Sequence, residues 1–335
     1  MKNTLLSVCV LLAGYAFGAL SSKSYVQDGL LVHWDGIENV GRGLEHDDGA
    51  TLWKDLSGNG LDMTIPQGSS FGDGYLDVIR AHGSDVVNGR IPEKDQAIRA
   101  AFKAARYTSE IVYDMTNFYP KTTVMMLCLG NTSYFIGSYY SDYENRIGFS
   151  PNGAPNGVAP TAYVNVSAED KTGLQHFVCR QNELATCVRL YSHGRKHMYV
   201  KSGTVKSFDP DVATDWKFKF NKTYNEASDV GFNGKCYGVR VYGRALDDDE
   251  LAVNHAVDRV RYFGDAASDL TLPDGWKFEV QGDDVRLYRR LRVRAADASG
   301  AESAGGKIVV GEGSDAPEHD VWCEQGGTVA LTVKA

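Results

Sequence analysis

Short alternating runs of apolar and polar residues dominate the chain, and they predict strands. Runs rich in Val, Ile, Tyr, Phe and Thr are separated by clusters of Gly, Asp, Asn and Pro, as is typical of a β-protein. The clearest case is residues 237–242, where Tyr237, Val239 and Val241 occupy alternate positions. This period of two predicts a strand with one buried face.

A helical pattern follows that strand. Asp247 is well placed as an N-cap, and Glu250 stands three residues later, where it completes a capping box. Gly264 is suited to the left-handed conformation that often ends a helix. These signals predict a helix between Asp247 and Gly264, and a second, short amphipathic helix is predicted over residues 93–106.

The first residues have the pattern of a secretory signal peptide. A basic residue, Lys2, precedes an apolar run that is too short for a stable membrane span, and Ala16 and Gly18 offer the small residues of a cleavage site. We therefore predict a signal peptide over residues 1–18. No later run is long enough for a membrane helix. The mature chain is expected to be secreted or at the cell surface, without membrane insertion after signal cleavage.

Composition and charge narrow the choice of partner. The 335 residues include 36 Gly and 11% aromatic residues, which suits a β-protein with many tight turns. The formal net charge is −8, which argues against nucleic acid or an anionic membrane as a partner, because both require a concentrated basic surface. The net charge is compatible with neutral or cationic ligands.

Three segments resemble the laminin-G-like jelly-roll domains of the concanavalin A-like lectin/glucanase superfamily. They are residues 239–246 (Val-Arg-Val-Tyr-Gly-Arg-Ala-Leu), the pair 29–34 and 53–60, and residues 107–112. Their order along the chain is that of the family. The resemblance implies an all-β, antiparallel jelly-roll β-sandwich with short peripheral helices over residues 26–264. A composition change after Gly264 predicts a small C-terminal β module over residues 270–335.

Two classes of function are compatible with this fold. The first is an exported, non-catalytic binding module that recognises a glycan or an extracellular surface protein. The alternative is a glycoside hydrolase-like enzyme, or a structural surface protein, on the same fold. Because the Glu-x-Asp-x-Glu type of catalytic strand found in related glucanases is absent from the chain, the sequence predicts that the protein is not an enzyme.

Candidate ligand-binding residues come from a tyrosine-rich run. Tyr139, Tyr140 and Tyr143 lie in a predicted polar turn beside Asp142. Aromatic faces cover the apolar side of a sugar ring while carboxylates bond its hydroxyl groups. The competing interpretation is that this run fills the core and decorates a strand end. Trp34 and Trp53 are the next aromatic candidates.

The sequence predicts no cofactor and identifies no metal-binding residues, and the run Asp55-Leu-Ser-Gly-Asn-Gly60 has two interpretations. It has the composition of a tight turn, and its side-chain oxygens also make calcium a candidate.

Two cysteines have a predicted pairing. A three-residue hairpin loop at 182–184 would place Cys179 opposite Cys187. This predicts either a disulfide or two reduced thiols.

Overall fold

The computed structural model of the protein describes the two large sheets, the main helix and the strands of the C-terminal region. The described residues are 20–38, 50–65, 68–78, 84–88, 96–97, 100–101, 103–104, 106–118, 123–130, 135–141, 146–150, 162–165, 173–182, 185–192, 195–202, 217–222, 232–282, 284–294, 307–310, 318–325, 327 and 331–334. The predicted signal peptide lies outside them. None of the described helices has the length and apolar character needed to cross a bilayer.

The chain divides into two compact units. Gln27–Leu251 form the first, which we call the sandwich unit, and Met1–Val26 with Ala252–Ala335 form the second unit. The strands of the sandwich unit are β1 (Leu30–Asp35), β2 (Leu52–Trp53), β3 (Asp62–Thr64), β4 (Ser70–Gly72), β5 (Tyr75–Val78), β6 (Ser84–Asn88), β7 (Tyr107–Phe118), β8 (Thr123–Gly130), β9 (Phe135–Ser141), β10 (Arg146–Ser150), β11 (Ala162–Asn165), β12 (Leu174–Gln181), β13 (Ala185–Ser192), β14 (Arg195–Ser202), β15 (Lys217–Lys222) and β16 (Phe232–Tyr242).

These strands form two antiparallel sheets. The first has the order β14-β13-β12-β7-β16-β5-β4, and β1 also pairs with β16. The second has the order β11-β10-β9-β8-β15-β6-β3-β2. The predicted all-β, antiparallel sandwich is confirmed.

The core of the sandwich unit contains side chains from both sheets. Trp34 and Val239 come from the first sheet, and Trp53 and Met63 come from the second. The rings of Trp34 and Trp53 lie 6.1 Å apart with an interplanar angle of 32°. Burial of these large aromatic side chains contributes to the stability of the unit.

Strand β16 differs from its prediction in two ways. Arg240 and Tyr242 are fully buried, so both faces of the strand are covered, and the prediction of one buried face is wrong. The register against β7 also shifts between Cys236 and Gly238, which is the mark of a β-bulge. As a result Cys236, and not Tyr237, joins the core.

The main helix, α1 (Asp248–Arg261), begins as predicted. The Glu250 amide donates to Asp247 Oδ1 at 2.8 Å, and the Asp247 amide donates to Glu250 Oε2 at 3.0 Å. This is a complete capping box. Gly264 has a φ of +74°, the left-handed conformation predicted beyond the helix end. In the region of the other predicted helix, the Ala104 amide donates to the Ala100 carbonyl at 2.9 Å.

The second unit has its own strands and core. The strands are β17 (Trp276–Gln281), β18 (Asp284–Arg294), β19 (Lys307–Val310), β20 (Glu318–Glu324) and β21 (Leu331–Lys334). They form one sheet of order β17-β18-β20 and a pair, β19-β21. Val253 and Val257 of α1 pack with Tyr25 and Leu287 in a separate core.

The predicted pairing of Cys179 with Cys187 is wrong. The hairpin register places Cys179 opposite Val188 and Cys187 opposite Arg180. Directly opposed residues share a face and consecutive residues alternate, so the two sulfur atoms lie on opposite faces of the sheet. Both cysteines are buried free thiols, and burial raises the pKa of the Cys179 thiol well above its ordinary value.

Candidate functional site

A half-buried pair of tyrosines lies on the outer face of the first sheet, the face turned away from the core. Tyr75 on β5 and Tyr237 on β16 make an edge contact, with ring centroids 5.6 Å apart. The Lys235 ammonium lies 4.2 Å from the centre of the Tyr75 ring. Asp77 and Asp114 share this face because both pair with Lys235 across the strands. We call these five residues the tyrosine patch.

The bulge in β16 creates the patch. Cys236 points into the core, so the next residue, Tyr237, is turned to the outer face, and the extra residue of the bulge leaves it beside Tyr75. The Gly36 amide stabilises the bulge by donating a hydrogen bond to the Tyr237 carbonyl at 2.7 Å. A regular strand would not present both rings on one face.

Two glycines fit the backbone closely around the tyrosines. A Cβ on Gly36 would lie 2.4 Å from the Gly74 carbonyl oxygen and 2.7 Å from that of Tyr237. A Cβ on Gly72 would lie 2.6 Å from the Tyr75 ring. All three distances are shorter than real Cβ contacts, so a side chain at either position would force the neighbouring atoms to shift. The patch is therefore held by backbone packing.

The chemistry of the patch suits a ligand rich in hydroxyl groups. Burial, followed by the nearby Asp114 carboxylate and the Tyr75 ring, raises the pKa of Tyr237 to about 12. The phenol is therefore protonated at neutral pH and can donate a hydrogen bond. Asp77 and Asp114 supply acceptors, and Lys235 supplies a cationic donor. This mixture of rings, acceptors and donors is the kind that binds sugars.

The patch also holds two carboxylates on the strands that flank β16. Asp77 and Asp114 stand on the two neighbours of β16, and the usual spacing of strands places their backbones about 10 Å apart. Side chains that lean together can bring the carboxyl groups into the range of roughly 5 to 9.5 Å that flanks a glycosidic bond. Among the described residues, no group of three or more His, Cys, Asp or Glu side chains is arranged to hold a metal ion.

A second polar cluster on the outer face is fully buried. Arg240 Nε donates to Glu110 Oε2 at 2.8 Å, and His176 Nε2 lies 3.5 Å from Glu110 Oε1. The His176 ring stacks on Tyr191 with centroids 5.5 Å apart. We call Glu110, His176 and Arg240 the buried polar cluster.

The electrostatics of this cluster indicate a structural role. Burial by itself would raise the pKa of Glu110. The Arg240 guanidinium and His176 have a larger, opposite effect, and together they lower the pKa of Glu110 from 4.5 to about 2. Glu110 is thus ionised at neutral pH. Glu110, His176 and Arg240 each have 0% exposure, so a ligand cannot reach them in this conformation. Their positions on β7, β12 and β16 instead link three neighbouring strands.

The start of α1 is fastened to the same face. Asp248 Oδ1 accepts from Arg180 and from Arg189, each at 2.5 Å. The Thr108 hydroxyl accepts from the Leu246 amide at 2.9 Å. These contacts assign the acidic cluster at 247–250 to helix attachment.

The structure rules out two of the predicted ligand residues. Trp34 and Trp53 each have 0% exposure. The Trp34 indole donates to the Leu61 carbonyl at 2.9 Å, and the Trp53 indole donates to the Asp35 carbonyl at 2.8 Å. Both are core residues, and their assignment as ligand-binding aromatics is wrong.

The tyrosine-rich run is placed differently from its prediction. Strand β9 continues to Ser141, so Tyr139 and Tyr140 are paired strand residues, opposite Gly148 and Ile147 of β10. Asp142 and Tyr143 lie outside the described residues. A site formed by these residues stays a prediction.

The Asp55 loop has the turn structure that its composition indicated. The Asp55 carboxylate accepts from the amides of His33, Ser57 and Leu61, at 3.0 Å each, and from the Ser57 hydroxyl at 2.9 Å. Its lone pairs are thus directed to donors within the fold. The loop is held by the turn bonding itself.

Sequence reasoning missed the tyrosine patch because it placed Tyr237 in the core. One signal was available: Gly234 and Gly238 flank the segment, and glycine inside a strand pattern often marks a bulge.

No known family and no curated protein matches the sequence. Solved structures match at low identity. A leech intramolecular trans-sialidase has 15% identity and a TM-score of 0.41, over 53% of this chain and 26% of the other. A Trypanosoma rangeli sialidase in complex with sialic acid has 15% identity and a TM-score of 0.47, over 71% and 34%. The CBM40 of a Ruminococcus gnavus IT-sialidase, bound to α2,6-sialyllactose, has 17% identity and a TM-score of 0.40, over 54% and 97%.

The matched part is therefore a quarter to a third of each sialidase, at 26% and 34% of their lengths. Similarity at this identity concerns the fold. The prediction that the chain is not an enzyme is nevertheless overturned, because sialidases and a trans-sialidase, which are enzymes, are among the matched structures.

Proposed function

We propose that the sandwich unit binds a glycan at the tyrosine patch. The observation that carries the proposal is the half-buried Tyr75–Tyr237 pair on an open face, with an ammonium group 4.2 Å from one ring and carboxylates on both neighbouring strands. Such a site combines apolar ring surface with directional hydrogen bonds, and a pyranose ring needs both.

The charges of the patch favour one class of sugar. Asp77 and Asp114 carry two negative charges against the single positive charge of Lys235. A neutral glycan, whose hydroxyl groups donate to carboxylates, fits this balance better than an acidic glycan, whose carboxylate would be repelled. The α2,3- and α2,6-sialyllactose bound by the Ruminococcus gnavus module supply the acidic comparison.

The test is a glycan panel measured by calorimetry on the purified chain. Neutral oligosaccharides and both sialyllactoses should be compared for the wild type and for Tyr75→Ala, Lys235→Ala and Tyr237→Phe. We expect the alanine variants to weaken binding at least tenfold, about 1.4 kcal/mol. For the neutral oligosaccharides, Lys277→Ala is a matched control, since Lys277 also lies over a tyrosine, Tyr288, but in the second unit. Equal affinity in all variants would remove the site from the patch.

Hydrolysis of the bound glycan is a second candidate, favoured by the Asp77–Asp114 pair. Water would be added across the glycosidic bond: one carboxylic acid protonates the leaving oxygen while the other carboxylate activates the attacking water. Mass spectrometry of incubated glycans tests this. Asp77→Asn and Asp114→Asn should each slow the formation of hydrolysis products at least 100-fold. Asp73→Asn, at an exposed residue of the same hairpin, should have no effect. Without any product from the wild type, hydrolysis is wrong while binding still stands.

We also propose that the sandwich is laminin-G-like and that the chain is exported. Residues 239–246 support a laminin-G-like sandwich, with a domain over 26–264 and a β module over 270–335. Residues 1–18 support export to the cell exterior or surface. Expression with the native start, followed by N-terminal sequencing of the exported chain, tests the cleavage site. A mature chain that begins at Ala19 is expected.

A further inference from the structure

The second unit carries a concentration of arginine. Five of the 11 residues of β18 are Arg, within a chain whose net charge is −8. Three of them, Arg286, Arg290 and Arg292, are separated from Tyr288 by even numbers of residues and so share one face with it.

The opposite face of this sheet supplies the core of the unit. Leu287 is 1% exposed and packs with Tyr25, Val253 and Val257, with Trp276 and Phe278 against them. The arginine-bearing face also carries Trp322, which is 40% exposed. An exposed tryptophan contributes little to folding, so this residue is available for a ligand.

The strand register isolates one cation beside that tryptophan. Arg292 pairs with Asp320, and Arg286 lies 3.8 Å from Glu324. Arg290 instead pairs with Trp322, and its amide donates to the carbonyl of Gly275 on the other side. The register therefore sets no carboxylate directly across from Arg290, in contrast to its neighbours.

Lys277 brings a second cation to the same place. Its ammonium lies 4.9 Å from the centre of the Trp322 ring and 5.3 Å from that of Tyr288. Lys277 is 43% exposed, and its side chain can move off the ring to meet a ligand. Lys277 thus lies against the Trp322 ring and Arg290 stands directly across from Trp322 in the register, so two cations neighbour one partly exposed tryptophan.

We propose that Trp322, Arg290 and Lys277 form a binding site for a carboxylated sugar. The indole would stack on the apolar face of the pyranose, and the carboxylate would lie between the guanidinium and the ammonium, where charge-assisted hydrogen bonds are strong. This site is independent of the tyrosine patch and has the opposite charge preference. Nucleic acid is disfavoured by the acidic residues that alternate with the arginines on this face, Asp320, Glu279 and Glu324.

The experiment measures binding of fluorescent carboxylated probes, an oligosialic acid and an oligogalacturonate, to the full chain. A sulfated heparin oligosaccharide, maltohexaose and a single-stranded DNA oligonucleotide are compared. We expect the carboxylated probes to bind best and to bind more weakly at higher salt. Trp322→Ala and the double variant Lys277→Ala/Arg290→Ala should each weaken binding at least tenfold.

The matched control is Arg292→Ala, which removes the same charge from the same strand and face at a position opposite Asp320. It should change affinity less than threefold. Trp322→Phe, which keeps an aromatic ring, should bind more tightly than Trp322→Ala, and thermal unfolding verifies that each variant is folded. Tyr75→Ala should leave these probes bound, which separates this proposal from the previous one. No binding of either carboxylated probe, unaltered binding in Trp322→Ala, or tighter binding of heparin or DNA would each overturn it.

Discussion

Arg240 Nε donates to Glu110 Oε2 at 2.8 Å, and neither side chain has any exposure to solvent. The two residues face each other on β16 and β7, which are neighbours in the middle of the first sheet. A buried ion pair adds little net stability compared with apolar residues of the same size, but the loss of one partner leaves the other charge buried alone. The pair therefore makes the sheet sensitive to single substitutions.

Glu110→Gln is expected to lower the free energy of unfolding by about 3 to 5 kcal/mol, because Arg240 is then buried without a counter-charge. Chemical denaturation measures this. Adding Arg240→Met to that variant should recover most of the loss. The matched control is Glu279→Gln, whose carboxylate lies 3.8 Å from Lys277 with 42% exposure, and which should change stability by less than about 1 kcal/mol. A small effect of Glu110→Gln would contradict the pairing.

The same carboxylate predicts an acid transition. The pKa of Glu110 is lowered from 4.5 to about 2 in the folded protein, so the unfolded chain takes up the proton first as the pH falls. The stabilisation from Glu110 is complete above pH 4.5 and is lost between pH 4.5 and about 2. The gap in unfolding free energy between the wild type and Glu110→Gln should therefore shrink over this window. A gap that stays constant down to pH 2.5 would disprove the lowered pKa.

The helix cap gives a prediction on a smaller scale. Asp247→Ala removes the acceptor for the Glu250 amide and is expected to cost about 1 kcal/mol of unfolding free energy. Asp249→Ala is the control, since Asp249 is an exposed acid in the first turn of the same helix and is not the cap. It should cost less than half as much. Identical denaturation midpoints for Asp247→Ala and the wild type would place the helix start elsewhere.

Local signals in the sequence predicted the elements that depend on neighbouring residues. The capping box of Asp247 and Glu250 lies within four residues, and the structure contains both of its hydrogen bonds. Long-range features were not predictable in the same way. The bulge that turns Tyr237 outward depends on the register of β16 against β7 and β5, and periodicity alone carries no register.

The error over Cys179 and Cys187 has the same origin. The register pairs Gln181 with Thr186 and not with Ala185, and this shift of one residue turns Cys187 to the other face. Burial of Trp34 and Trp53 was equally hidden, because a tryptophan in a ligand site and one in a core look alike in sequence. Only the pairing of the two sheets over these rings decides between them.

That burial leads to the final prediction. Trp34→Phe keeps an aromatic ring in the core but removes the indole donor to the Leu61 carbonyl, and it leaves a smaller ring against Trp53. An unpaired buried carbonyl costs about 1 to 3 kcal/mol, and the lost volume adds to it, so we expect a loss of about 2 to 4 kcal/mol in chemical denaturation. Trp322→Phe, at 40% exposure, is the matched control. It should cost less than about 1 kcal/mol, because substitutions at surface sites usually change stability by roughly ±0.5 kcal/mol. If Trp34 instead served a ligand, Trp34→Phe would leave stability unchanged and weaken glycan binding, which is the reverse of the result expected here.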